Sequence, residues 1–198
     1  MEAVVKKKGS SRTRSIAFCG LTIALFAVSA WITVPFGPVP FTMQVFVMIF
    51  ALIALSPREC IESIAGYLII GAIGLPVFSA MRGGIGVIFG PTGGFLWGYL
   101  MGAVVALLVM QVLLGKRQNA EALDGRSNNA RHELMIYFIG AAVFLAVMYV
   151  CGWAQLMVVT GMSPWAAFLS AVGPFVIIDC IKTVVAVFTA RAVKKALH

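Results

Sequence analysis

Charged positions divide this sequence into long apolar runs. None falls between Arg14 and Arg58, between Glu62 and Arg82, between Arg82 and Lys116, or between Glu133 and Asp179. The first and last runs exceed about 40 residues, roughly twice the 20 that carry a helix across a bilayer once. Two crossings per run account for that length better than one crossing and a long apolar surface loop. The chain therefore reads as an all-α integral membrane protein that crosses several times.

Prolines and glycines mark where the runs turn. The pattern predicts a first helix over about residues 15–34, followed by Pro35-Phe36-Gly37-Pro38-Val39-Pro40, in which three prolines remove donors and fix the backbone. A short second helix over about 41–55 ends at Ser56-Pro57-Arg58. A third over about 60–75 starts beside Glu59 and Glu62, where the helix dipole favours negative charge. The glycine-rich stretch 76–94 comes next, then a fourth helix over about 95–114 and a polar loop over 116–133. A fifth helix spans about 134–153, a turn follows at Gly161-Met162-Ser163-Pro164, and a sixth helix lies within about 168–193. Six crossings put both termini on one side, with the stretches 35–40 and 76–94 on the other. The expected organisation is a single transmembrane domain over 1–198, with a basic cytoplasmic tail over 1–14 and a cytoplasmic loop over 116–133.

Composition agrees with this picture. Of 198 residues, 61% are apolar and 11% charged, against roughly 25% charged in soluble domains. The formal charge of +8 could suggest a nucleic-acid partner, but position argues otherwise. Five basic residues precede the first helix (Lys6, Lys7, Lys8, Arg12, Arg14), four lie in the central loop (Lys116, Arg117, Arg126, Arg131), and Arg191, Lys194 and Lys195 close the chain. Such clusters accumulate on the cytoplasmic side of membrane proteins, so no nucleic acid is expected. Residues 6–30 resemble a signal peptide, with a basic start and Val28-Ser29-Ala30 at the end. The apolar run continues to Val34, and cleavage would leave an odd number of crossings, so this segment is read as a retained helix. Cys19, Cys60, Cys151 and Cys180 lack metal-like spacing and read as small apolar residues.

Two stripes of small residues stand out. Gly94, Gly98, Gly102 and Ala106 recur on the fourth helix, and Ala17, Gly20, Ala24 and Ala27 on the first. Small residues let helices approach closely in lipid. Such a stripe either packs inside the bundle or docks another membrane protein, and sequence does not separate the two.

The chemistry concentrates in a few polar residues. Asp179 and Lys182 sit three apart in an apolar helix, on one face. A lone charge near the bilayer centre costs on the order of 2.5–3.5 kcal/mol on insertion scales, so both should face the interior. They could merely tie helices together, but buried ion pairs are poor sources of net stability. As a ligand site they offer an acceptor and a donor, suited to a cyclic urea or amide. Arg82, the lone charge of the outer stretches, lies among glycines where bare backbone can approach a ligand. Its guanidinium could hold a carboxylate in a forked geometry, or simply snorkel to the surface. Gln44, after the prolines, could hydrogen-bond a ligand or another helix. Gly84-Ile85-Gly86-Val87-Ile88-Phe89-Gly90 misses dinucleotide spacing, and no Gly-Lys-Ser/Thr follows to make a P-loop. No ATPase, hydrolase or metalloprotease set is present in the sequence, so neither enzymatic activity nor a cofactor is expected.

Pro38-Val39-Pro40-Phe41-Thr42-Met43-Gln44, Gly74-Leu75-Pro76-Val77-Phe78, Arg82-Gly83-Gly84, Gly90-Pro91-Thr92-Gly93-Gly94-Phe95 and Asp179-Cys180-Ile181-Lys182 together resemble the BioY family, the biotin-specific substrate-binding components of energy-coupling factor transporters. The resemblance spans nearly the whole chain. It implies a six-helix protein of the bacterial cell membrane that takes biotin from outside. Such a subunit works with a transmembrane coupling protein and two ATPase subunits, and topples in the membrane to release the vitamin. By the resemblance Asp179 and Lys182 would contact the buried head group, Arg82 would touch ligand, and Phe95 would line the pocket. Contact of Arg82 with the valerate carboxylate is our own expectation. The first helix would dock the coupling protein, here through Ala17, Gly20 and Ala24. Gly20-xxx-Ala24 replaces the family's paired alanines, and Ile177-Ile178 stand where relatives often have Pro-Gly. The competing readings are a stand-alone carrier using Asp179 as a proton relay and a binding component for a different vitamin.

Overall fold

Nearly every apolar run becomes helix. The structure, a computed structural model, describes residues 2–35, 37, 39–124 and 130–197. Helix α1 (Glu2–Trp31) leads into a two-stranded hairpin, β1 (Thr33–Val34) antiparallel to β2 (Phe41–Thr42), with Thr33 opposite Thr42 and Val34 opposite Phe41. Helix α2 (Gln44–Ala54) is short, and α3 (Pro57–Ile73) follows at once. The glycine-rich stretch folds as a 3-10 turn (Ser79–Met81) and a single helical turn, α4 (Ile85–Ile88). The long helices α5 (Gly93–Asp124) and α6 (Ala130–Thr160) come next, then α7 (Pro164–Ala171) and α8 (Gly173–Leu197).

Several boundaries differ from expectation. The basic segment expected as a tail over 1–14 is helical from Glu2 onward. The polar stretch expected as a loop over 116–133 is helical up to Asp124 and again from Ala130; Arg126 lies outside the described residues. A polar, helix-favouring composition continues a helix as well as it makes a loop. The sixth predicted helix starts earlier, at Pro164, and breaks at Val172, whose backbone (φ −123°, ψ −52°) leaves helical geometry between α7 and α8.

Local chemistry fixes the ends. Ser56 and Glu59 form a reciprocal capping box at the start of α3, with Pro57 in the first turn. Gly74 ends α3 at φ 116°, a left-handed conformation that favours glycine. Ser163 caps α7 by accepting from the Ala166 N–H.

Among the described residues, four segments are long and apolar enough to cross a membrane: Arg12–Trp31, Gly93–Gly115, Arg131–Thr160 and Pro164–Lys195. The most extensive packing joins α5 to α6, followed by α2 to α8. Glycines explain the first: a Cβ at Gly98 would lie 2.8 Å from the Met148 Cα, and one at Gly102 2.9 Å from the Phe144 carbonyl oxygen. Gly94 abuts the Cys151 carbonyl in the same way. Phe26 of α1, fully buried, meets the Tyr67 ring of α3 edge-on at 5.8 Å. The hairpin, the 3-10 turn and the break between α7 and α8 leave a cavity toward one end of this bundle.

Candidate functional site

The cavity has about 640 Å3 of empty space, its open mouth included. Its wall comes from the hairpin, the start of α2, the glycine-rich stretch, α5, α6 and both halves of the α7–α8 arm. Each binding residue expected from sequence, Asp179, Lys182, Arg82, Phe95 and Gln44, lines it.

Asp179 and Lys182, on one face of α8, close an ion pair of 2.9 Å and are only 3% and 7% exposed. A buried charge is tolerable when its partners are complete, and here they are well supplied. The Tyr149 hydroxyl donates to Asp179 Oδ2 at 2.6 Å, while Lys182 Nζ donates to Asp179 Oδ1 and, at 2.7 Å, to the backbone carbonyl of Thr42. The Phe41 ring lies 3.7 Å from the same ammonium, a cation–π contact. Phe41 also stacks on Phe175 of α8 at 6.4 Å.

Gln44, 2% exposed, opens α2 and anchors a second polar chain. Its Nε2 donates to the Tyr67 hydroxyl at 2.6 Å, which donates in turn to the Val77 carbonyl at 3.1 Å, and the Tyr99 hydroxyl donates to Gln44 Oε1 at 3.4 Å. Phe95 is held by close approach: a Cβ at Gly152 of α6 would lie 2.5 Å from its ring. Arg82 is exposed at the mouth, where its Nε donates to the Ser79 carbonyl at 3.3 Å, which leaves most of the guanidinium's donors for another partner. The turn that presents it carries two non-glycine residues at positive φ, Ala80 (57°) and Met81 (54°), a conformation that costs energy and recurs at functional loops.

The cavity therefore has two unlike ends. A neutralised charge pair with aromatic hydroxyls lies deep, and a cation lies at the opening. At 1.5 Å per residue α2 is only about 16 Å long, about half of a ~30 Å hydrocarbon core. Asp179 itself lies in the second turn of α8, just past the break at Val172.

Tyr149 and Tyr99 line the cavity and Tyr67 joins it through Gln44, none of them singled out in the sequence. Tyrosines inside apolar runs look like core, and only a buried hydroxyl's need for a partner could have flagged them. The residues expected to dock a partner are elsewhere: Ala17, Gly20 and Ala24 lie on the exposed face of α1 and do not line the cavity. Ala27, expected on that stripe, is 7% exposed and turns inward with Phe26 and Ala30. A spacing of three carries it round the helix toward α3.

The profile of the BioY family matches residues 4–198. This chain belongs to the BioY family. Among its BioY relatives, the protein "Biotin transporter BioY" of Thermotoga maritima is 34% identical over 183 residues, covering 92% of this chain and 96% of the relative. "Probable biotin transporter BioY" of Pyrococcus horikoshii is 34% identical over 180 residues, covering 91% and 96%. Among solved structures, the S-component for biotin from an ECF-type ABC transporter superimposes with a TM-score of 0.75, covering 94% of this chain and 93% of that one. At 23% identity that likeness is one of fold: the BioY chain described here is a mostly helical membrane protein built as that component is.

Proposed function

We propose that this chain captures biotin at the outer face of a cell membrane and passes it inward as the binding subunit of an energy-coupling factor importer. In this reading six helices cross, the two shorter ones being α2 and α3, and both termini face the cytoplasm. The observation that carries it is the polarity of the cavity: Asp179 and Lys182 at the bottom, Arg82 at the mouth. A cyclic urea presents N–H and C=O groups together, which suits a carboxylate beside an ammonium. A carboxylate on a flexible apolar chain would then reach the guanidinium, with Phe95 and its neighbours along the way. The subunit has no catalysis of its own. The transmembrane coupling protein and two ATPase subunits supply the work, and the exposed Ala17, Gly20 and Ala24 of α1 give the coupling protein a flat face to meet.

Titration of the purified protein alone with biotin, read by heat or tryptophan fluorescence, tests this. Saturable one-to-one binding without ATP is the expected outcome. Asp179→Asn should weaken it by about 1.5–3 kcal/mol, the worth of a hydrogen bond to a charged group. Absence of binding by folded protein overturns the reading and moves it to another vitamin. Uptake that follows the proton gradient and ignores ATP would instead make the chain a carrier.

A further inference from the structure

We propose that Lys182 is a latch that holds the β1–β2 hairpin down across the cavity and so sets how often the cavity opens. The proposal rests on the proposed function only in taking this cavity as the ligand site.

The hairpin cannot hold itself. Each strand has two residues, and isolated two-stranded hairpins are marginal even when longer. Proline occupies positions 35 and 40, which removes backbone donors that could have extended the ladder. Yet Val39, Pro40, Phe41 and Thr42 form part of the cavity wall, so something else must place them. One group that does so is 140 positions away in sequence: Lys182 Nζ donates to the Thr42 carbonyl at 2.7 Å with the Phe41 ring 3.7 Å from it. A single ammonium thus grips a backbone oxygen of β2 and a side chain of the preceding residue.

Donor accounting makes the grip specific. An ammonium carries three N–H bonds. Asp179 Oδ1 takes one, Thr42 takes another, and the face of Phe41 receives the charge from a further side. Asp179 accepts from Lys182 and Tyr149 and, as a carboxylate, keeps lone pairs to spare. Asp179 therefore keeps acceptor capacity toward the cavity, whereas two of the three contacts of Lys182 are made to the hairpin. The hairpin in turn ties the rest of the mouth together. Thr33 Oγ1 stands 3.2 Å from Ser79 Oγ on the turn that carries Arg82, and the neighbouring Trp31 donates to the Pro76 carbonyl at 2.8 Å. Releasing Lys182 would loosen both segments at the opening.

Hydrogen–deuterium exchange of the ligand-free, detergent-purified full chain reads the latch directly. In Lys182→Met, exchange at the amides of residues 33, 34, 41 and 42 should rise at least ~10-fold over wild type, as loss of a charge-assisted bond allows, while α5 and α6 keep their protection. Asp179→Asn, which retains the ammonium and its bond to Thr42, should leave hairpin exchange close to wild type. Unchanged hairpin exchange in Lys182→Met overturns the proposal, and so does equal loosening by Asp179→Asn. Should Lys182→Met also loosen α5 and α6, the double variant Asp179→Asn/Lys182→Met carries the test, since it leaves no unpaired buried carboxylate: hairpin exchange faster than in Asp179→Asn alone supports the latch and an equal rate ends it. Wild-type protein that shows the latch but binds no biotin would sink the ligand reading alone. Protein that binds biotin while Lys182→Met leaves the hairpin undisturbed would sink the latch alone.

Discussion

Helices α1 and α5 carry the same kind of signal and use it in opposite ways. On α5, Gly94, Gly98, Gly102 and Ala106 are all buried, and the α6 backbone occupies the space where side chains would be. On α1, Ala17, Gly20 and Ala24 are exposed, and a Cβ at Gly20 would meet nothing within 4 Å. One stripe has its partner within the chain and the other has a bare face. Spacing of small residues thus marks where a helix can be approached closely, and only the fold tells by what.

Substitution sharpens this contrast. The largest effect is expected at Gly98→Leu, where the added side chain must displace the Met148 backbone. Overpacking against backbone should cost at least ~3 kcal/mol, lowering the melting temperature by about 6–12 °C in a thermal scan in detergent. Gly102→Ala comes next. Its methyl group meets the Phe144 carbonyl oxygen at 2.9 Å, so a loss of about 2–4 °C is expected after the gain in helix propensity is counted. Gly20→Leu should be smallest in stability, with the melting temperature unchanged or higher by about 2 °C, because space is open there. If the chain is the binding subunit proposed above, its effect should show in ATP-driven uptake by the reconstituted importer, which falls while biotin binding by the isolated subunit persists. A Gly20→Leu protein as unstable as Gly98→Leu would break the comparison, placing both stripes inside the bundle.

The same logic decides what could be read before folding. Asp179 and Lys182 were legible because charge in an apolar run is costly and needs a reason; Arg82 and Gln44 stood out in the same way. The helices were legible because their runs are long. The hairpin was not, since two-residue strands carry no periodicity, and a proline-rich segment reads as plain loop. The break at Val172 has no proline or glycine at its own position, although Gly173 and Pro174 follow it. Nor was the Gln44–Tyr67–Tyr99 chain visible, because its members come from α2, α3 and α5 and meet only when those helices pack. The extension of α5 through a polar stretch was missed for a different reason: polarity was equated with loop, though the residues involved favour helix.

The ion pair at the bottom of the cavity has an electrical consequence. A membrane potential does work on net charge, up to about 2.3 kcal/mol per elementary charge for each 100 mV crossed. Asp179 and Lys182 lie 2.9 Å apart, so together they amount to a small dipole carrying no net charge. Motion of this end of the bundle along the membrane normal, with the pair intact, gives the voltage little to act on in the pair itself, so the work falls on the Arg82 charge at the mouth and on any charge the ligand brings with it.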